Sequence, residues 1–137
     1  MKTLYLVGIL LSALAPGCLV AANDGPPVAA ANSGALVVDW TIEGDNHAAQ
    51  CTLSGATTVD ITVTFRDGAP AGEFQQACDA FATTIDLAPG SYYASAVLLH
   101  AGGRDRTTTL QLRSFDIFGA DQLSIPIDFP ASSFFAP

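Results

Sequence analysis

Leu87-Ala88-Pro89-Gly90-Ser91-Tyr92, running on through Tyr93 to Leu99, is the stretch on which the fold turns. Pro89 presets φ for a chain reversal, and a glycine in the next position suits a type II turn with positive φ at Gly90. The following segment alternates: Tyr92, Ala94, Ala96 and Leu98 fall on one side, and Tyr93, Ser95, Val97 and Leu99 on the other. A strand apolar on one face and nearly so on the second belongs in the middle of a sheet.

The segments around it supply partners. Leu36, Val38, Trp40 and Ile42 alternate with Val37, Asp39 and Thr41, so Ala35–Ile42 reads as a strand with Trp40 in the core. Thr57–Phe65 is the clearest strand, with Val59, Ile61, Val63 and Phe65 inward and Thr58, Asp60, Thr62 and Thr64 outward. Phe74, Gln76 and Cys78 share parity on a weaker strand, and Phe81, Thr83, Ile85 and Leu87 on the next. Beyond the central strand, Ala101–Arg106 with Gly102 and Gly103 reads as a hairpin loop, after which Thr108, Leu110 and Leu112 return on one face. Ser114–Phe118 extends that edge. In Gln122–Phe129, Leu123, Ile125, Ile127 and Phe129 point inward, and Pro126, with no N–H to donate, puts this strand at a sheet edge. The residues after Pro130, with Phe134 and Phe135, form either a tail folded back on the domain or an exposed apolar end.

This is all-β patterning, predicting a two-sheet antiparallel β-sandwich of about seven strands over 35–130, with a tail over 131–137. In the 137 residues, half are apolar and 13% charged, enough for one packed core and too apolar for a disordered chain. Thirteen acids against five bases repel phosphate backbones, so no nucleic acid is expected as a partner.

The N-terminus reads as an export signal over 1–17: Lys2, then the apolar run Leu4–Leu11, then small residues to Gly17. Two cleavage sites compete. One precedes Cys18, which would be acylated; the other follows Ala22 and leaves a soluble secreted protein beginning at Asn23. Leu14-Ala15-Pro16-Gly17-Cys18 resembles the lipobox of bacterial lipoproteins, with Leu14 four residues before the cysteine. Cysteine arithmetic favours the first site. In an oxidising compartment Cys51 and Cys78 can pair, closing a loop of about 28 residues for roughly 3.5 kcal/mol, which leaves Cys18 for a lipid. From Cys18 to Gly34 the sequence lacks strand or helix periodicity and reads as a flexible tether. Its last sixteen residues reach up to about 50 Å.

Pro89, Gly90 and Tyr92, with the strand, glycine hairpin and closing strand that follow, resemble the Pro-Gly-x-Tyr corner of transthyretin-like, Cna-B-like and carboxypeptidase-regulatory-like (immunoglobulin-like) sandwiches. Leader, cysteine, Trp strand and two-cysteine sandwich together are similar to small envelope lipoproteins of Gram-negative bacteria. The resemblance implies a lipid-anchored module of the cell envelope, on the outer membrane, with an envelope protein or a glycan as partner.

Chemistry-bearing residues are sparse. His47 and His100 have no recognisable nucleophile motif around them, and no cofactor or metal is expected. Glu43, Asp45 and Asn46, joined by Asp67 with Gly68 or by Asp105 at one end of the sandwich, are candidates for ion contact, with calcium the fitting cation. Tyr93 is the candidate exposed aromatic for ligand contact. The expected function is non-catalytic binding or structural presence at the envelope. The alternatives are an adhesive or carbohydrate-binding module, calcium-assisted or not, and a small hydrolase using His47 or His100.

Overall fold

The computed structural model describes residues 32–136. The leader, Cys18 and the tether as far as residue 31 lie outside the described residues. Among the described residues eight strands form two sheets: β1 (Gly34–Ile42), β2 (Thr58–Phe65), β3 (Pro70–Ala77), β4 (Ala82–Leu87), β5 (Gly90–Leu99), β6 (Leu110–Gln111), β7 (Phe115–Ile117) and β8 (Gln122–Phe129). One sheet has the order β4-β1-β8. The other runs β3-β2-β5-β6, with β7 also on β5. The architecture is the expected all-β pair of sheets, with β5 central and β8 at an edge. No helix among the described residues is long and apolar enough to cross a membrane.

The core follows the alternation. Leu36, Val38, Trp40 and Ile42 of β1 meet Val59, Ile61 and Val63 of β2 and Tyr92, Ala94, Ala96 and Leu98 of β5 in one buried cluster, closed by Ile125 and Phe129 of β8. At the start of β1 a Cβ on Gly34 would stand 2.6 Å from Ile117 Cγ2 and 2.6 Å from the Phe118 carbonyl, so only glycine lets the two sheets approach there.

Five details differ from the sequence reading. First, β1 and β8 run parallel, with Leu36 opposite Leu123 and Ile42 opposite Phe129. They are the first and last strands, and the chain has crossed to the other sheet and back between them, so no hairpin forces the antiparallel direction. Second, Cys51 sits in a short helix, α1 (Ala48–Ser54), between β1 and β2, which the strand periodicity does not announce.

Third, Gly90 does not take a positive φ and there is no type II turn; it is the first residue of β5, opposite Ile117. Its smallness serves Tyr92, whose ring folds back so that a Cβ on Gly90 would be 3.3 Å from the hydroxyl, which donates to the Ala88 carbonyl at 2.7 Å. Fourth, Thr107 is buried and Thr108 exposed, because the Thr107 hydroxyl accepts the Leu98 N–H at 3.1 Å in place of a backbone carbonyl and interrupts the ladder. Fifth, Phe65 ends β2 37% exposed, its ring 5.0 Å from that of Tyr92.

The tail folds back. Thr108 donates its N–H to Ser133 O at 2.8 Å, and Thr107 bridges Phe134.

Candidate functional site

The end of the sandwich where β1 finishes carries a cleft of about 390 Å³. It is built outward from Ile42. Glu43 (φ 54°) and Gly44 (φ 79°) make a tight turn, closed by hydrogen bonds in both directions between Ile42 and Asp45. Asp128 of β8 fixes the turn from the side, its carboxylate accepting Gly44 N–H at 2.9 Å and the Thr41 hydroxyl at 2.7 Å.

Asp45 starts α1. Its carboxylate accepts the Gln50 side-chain amide at 3.2 Å and the His47 N–H at 3.0 Å. These bonds, Gln50 first, hold its pKa below the ordinary carboxylate value of 3.8. The helix, seven residues long, ends in left-handed Gly55. Cys51, on the buried side of α1, is bonded to Cys78 across a Cα–Cα distance of 6.0 Å. Trp40 lies beneath, donating its indole N–H to Cys78 O at 2.8 Å.

Arg106 closes the cleft from the other sheet. Its Nε donates to the Ser54 carbonyl at 2.5 Å, its Nη1 donates to the Phe135 carbonyl, and its guanidinium carbon lies 5.5 Å from the centre of the Phe134 ring. One side chain thus joins helix, hairpin and tail. The lining combines apolar Ile42, Leu53 and Phe134 with Gln50, Ser54 and the opposite charges of Glu43 and Arg106. Leu53 is 78% exposed on a helix only two turns long. An amphipathic recess of this kind suits recognition of a side chain or small polar ligand.

The expected ion-contact residues do not converge. Glu43, Asp45 and Asn46 lie at the cleft end and Asp105 is in the hairpin there, whereas Asp67 and Gly68 are in the β2–β3 turn at the opposite end. Asp67 accepts the Ala69 N–H at 2.9 Å. No group of three His, Cys, Asp or Glu among the described residues is placed to hold a metal ion. His47 stands 3.9 Å from Asp45, its side chain 82% exposed; the His100 ring lies beside Gly55. Tyr93 is 46% exposed on the outer face of the five-stranded sheet, opposite Thr64. The outward Thr58, Asp60, Thr62 and Thr64 share that face, where Asp60 Oδ1 is buried with no partner among the described residues.

Leu53, Gln50 and Arg106 were not legible as site residues. Gly55 after Asp45 is a weak helix-end signal. Arg106 has none, since its partners lie 52 and 29 residues away.

The chain matches no protein-family model and no curated protein. It is similar to a solved leucine-rich repeat protein from Bacteroides thetaiotaomicron, over 74% of this chain and 14% of that one, at 16% identity and a TM-score of 0.46, which bears on neither fold nor function here.

Proposed function

We propose that the protein is a non-catalytic β-sandwich, held at the cell envelope by a lipid on Cys18, that presents its α1 end as a binding or structural surface. The observation that carries this reading is the Cys51–Cys78 bond: it uses two of three cysteines and leaves Cys18, behind an apolar leader, for acylation. The direction of presentation follows from β1. The tether joins the domain at Gly34, and β1 delivers the chain to the cleft nine residues later, roughly 30 Å away. The tether therefore joins the domain at the end opposite the cleft, Leu53 and Phe135, leaving that end free of the attachment.

The test is the intact mass of the mature protein, expressed in a bacterial host with its own leader, before and after reduction. A lipid-modified mass starting at Cys18 that gains two hydrogens on reduction is expected. An unmodified mass starting at Asn23 overturns the anchor.

A second reading, an adhesive or carbohydrate-binding module, is favoured by Tyr93, an aromatic ring 46% exposed on a sheet face of short hydroxyl side chains. Binding on a glycan array that is lost in Tyr93→Ala would establish it; silence on the array removes it.

A further inference from the structure

The two sheets leave four free edges among the described residues, and three are blunted. The β8 edge carries exposed Pro126, which has no N–H. The β6 and β7 edge is split into pieces of two and three residues. The β3 edge begins at Pro70, contains Gly72, and is bent by a register shift between Val63 and Thr64. The fourth, β4, runs unbroken through Ala82-Thr83-Thr84-Ile85-Asp86-Leu87, with no proline, glycine, lysine or bulge.

The register on β1 says which backbone groups are free. Trp40 N–H donates to Phe81 O at 3.0 Å, so Trp40 and Phe81 form a hydrogen-bonded pair. Alternation then makes Val38 with Thr83 and Leu36 with Ile85 bonded pairs too. The N–H and C=O groups of Ala82, Thr84 and Asp86 point away from the sheet, and all three residues are exposed.

We propose that this edge pairs with the β4 edge of a second copy of the chain, antiparallel about a two-fold axis at Thr84. Thr84 then exchanges both bonds with Thr84 of the second copy, and Ala82 pairs with its Asp86, giving about six backbone hydrogen bonds. The two sheets become one of six strands, with both cores on matching faces. Bond count and charge select the register: an axis at Thr84 pairs all three outward residues, axes at Thr83 or Ile85 pair only two of them within the strand, and one at Asp86 would set two carboxylates opposite each other. The contact is small beside the roughly 1,200–2,000 Å² of stable interfaces, so the dimer is weak, with Kd on the order of micromolar or above. The pairing does not depend on the anchor, which would only raise the local concentration.

Thr84→Cys in the disulfide-intact protein tests the axis, with Gln75→Cys on the β3 edge as the control and Cys18→Ser in both, so that neither a lipid nor a third thiol contributes. Under mild copper-phenanthroline oxidation, T84C is expected to give disulfide-linked dimer at least tenfold faster than Q75C. Thr84→Lys, which sets two ammonium groups face to face, is expected to lower the weight-average mass in sedimentation relative to the parent at equal concentration. Equal crosslinking rates, or a parent mass no greater than that of T84K, overturn the proposal.

Discussion

At the end of the sandwich where β1 begins, two turns are closed by groups near one another in the chain, and the longer side-chain links there, Ser91 and Arg66 to Asp116, are solvent-exposed. Asp67 accepts the Ala69 N–H two residues on, and Tyr92 reaches back four residues to Ala88. At the cleft end local bonds such as Ile42 with Asp45 are joined by long-range contacts that run through buried or cleft-lining side chains: Cys51 to Cys78 over 27 residues, Arg106 to Phe135 over 29, Trp40 to Cys78 over 38, and Arg106 to Ser54 over 52. Local closure costs little chain entropy and forms wherever the turn residues occur. Long-range closure fixes large loops, so its energetic consequences when broken are larger.

The contrast is open to breaking in four places, taken from the largest effect down. Replacing both Cys51 and Cys78 by alanine is expected to lower stability by about 3.5 kcal/mol, and Tm by roughly 15 °C, in thermal unfolding followed by circular dichroism. A drop below about 1 kcal/mol would mean that the cleft end is already held by other contacts. Arg106→Ala, which frees helix and tail together, is expected to cost about 2 kcal/mol in urea unfolding and to speed amide exchange at Phe135 and Thr108 while leaving Tyr92 protected.

Tyr92→Phe at the opposite end removes one hydrogen bond to an exposed residue and is expected to cost only about 1 kcal/mol near neutral pH. Burial holds the Tyr92 phenol above its ordinary pKa of 10.0. Its contribution is therefore complete below pH 10 and lost as pH rises through the raised value, because the unfolded tyrosine ionises first. The urea midpoint of the variant is accordingly expected to fall less above pH 10 than that of the parent.

Asp45→Asn has the smallest effect. The Asp45 pKa lies below 3.8 in the folded protein, so its contribution is present above that value and lost as pH falls through the lowered one. The difference between parent and variant is expected at pH 6 and should close near pH 2; an equal difference at both would show that the charge on Asp45 is not what holds α1.

The same division separates what reading along the chain could find. A side-chain period of two is a property of the extended backbone itself, so Leu36 to Ile42, Val59 to Val63 and Tyr92 to Leu98 declare their buried faces without knowledge of their partners. Pro126 declares an edge for the same reason: the missing N–H is a covalent fact. Gly102 and Gly103 lie in a turn at positive φ, as two adjacent glycines between strands suggest. At Pro89-Gly90 the local rule failed, since Gly90 is needed for the close approach of the Tyr92 ring and pairs with Ile117 rather than completing a turn.

Short alternating strands, a mispatterned Thr107 and a two-turn helix around Cys51 mark the limit of that local code. The residue order carried the faces of the strands, the cysteine count and the edge character of β8. Folding in three dimensions alone settled the parallel pairing of β1 with β8, the burial of Thr107 against the Leu98 N–H, and the gathering of Leu53, Arg106 and Phe134 around one cleft. Alternation acts between residues two apart and is written into the chain. Strand neighbours and cleft walls depend on which distant segments exclude water from the same core, which no window of local sequence contains.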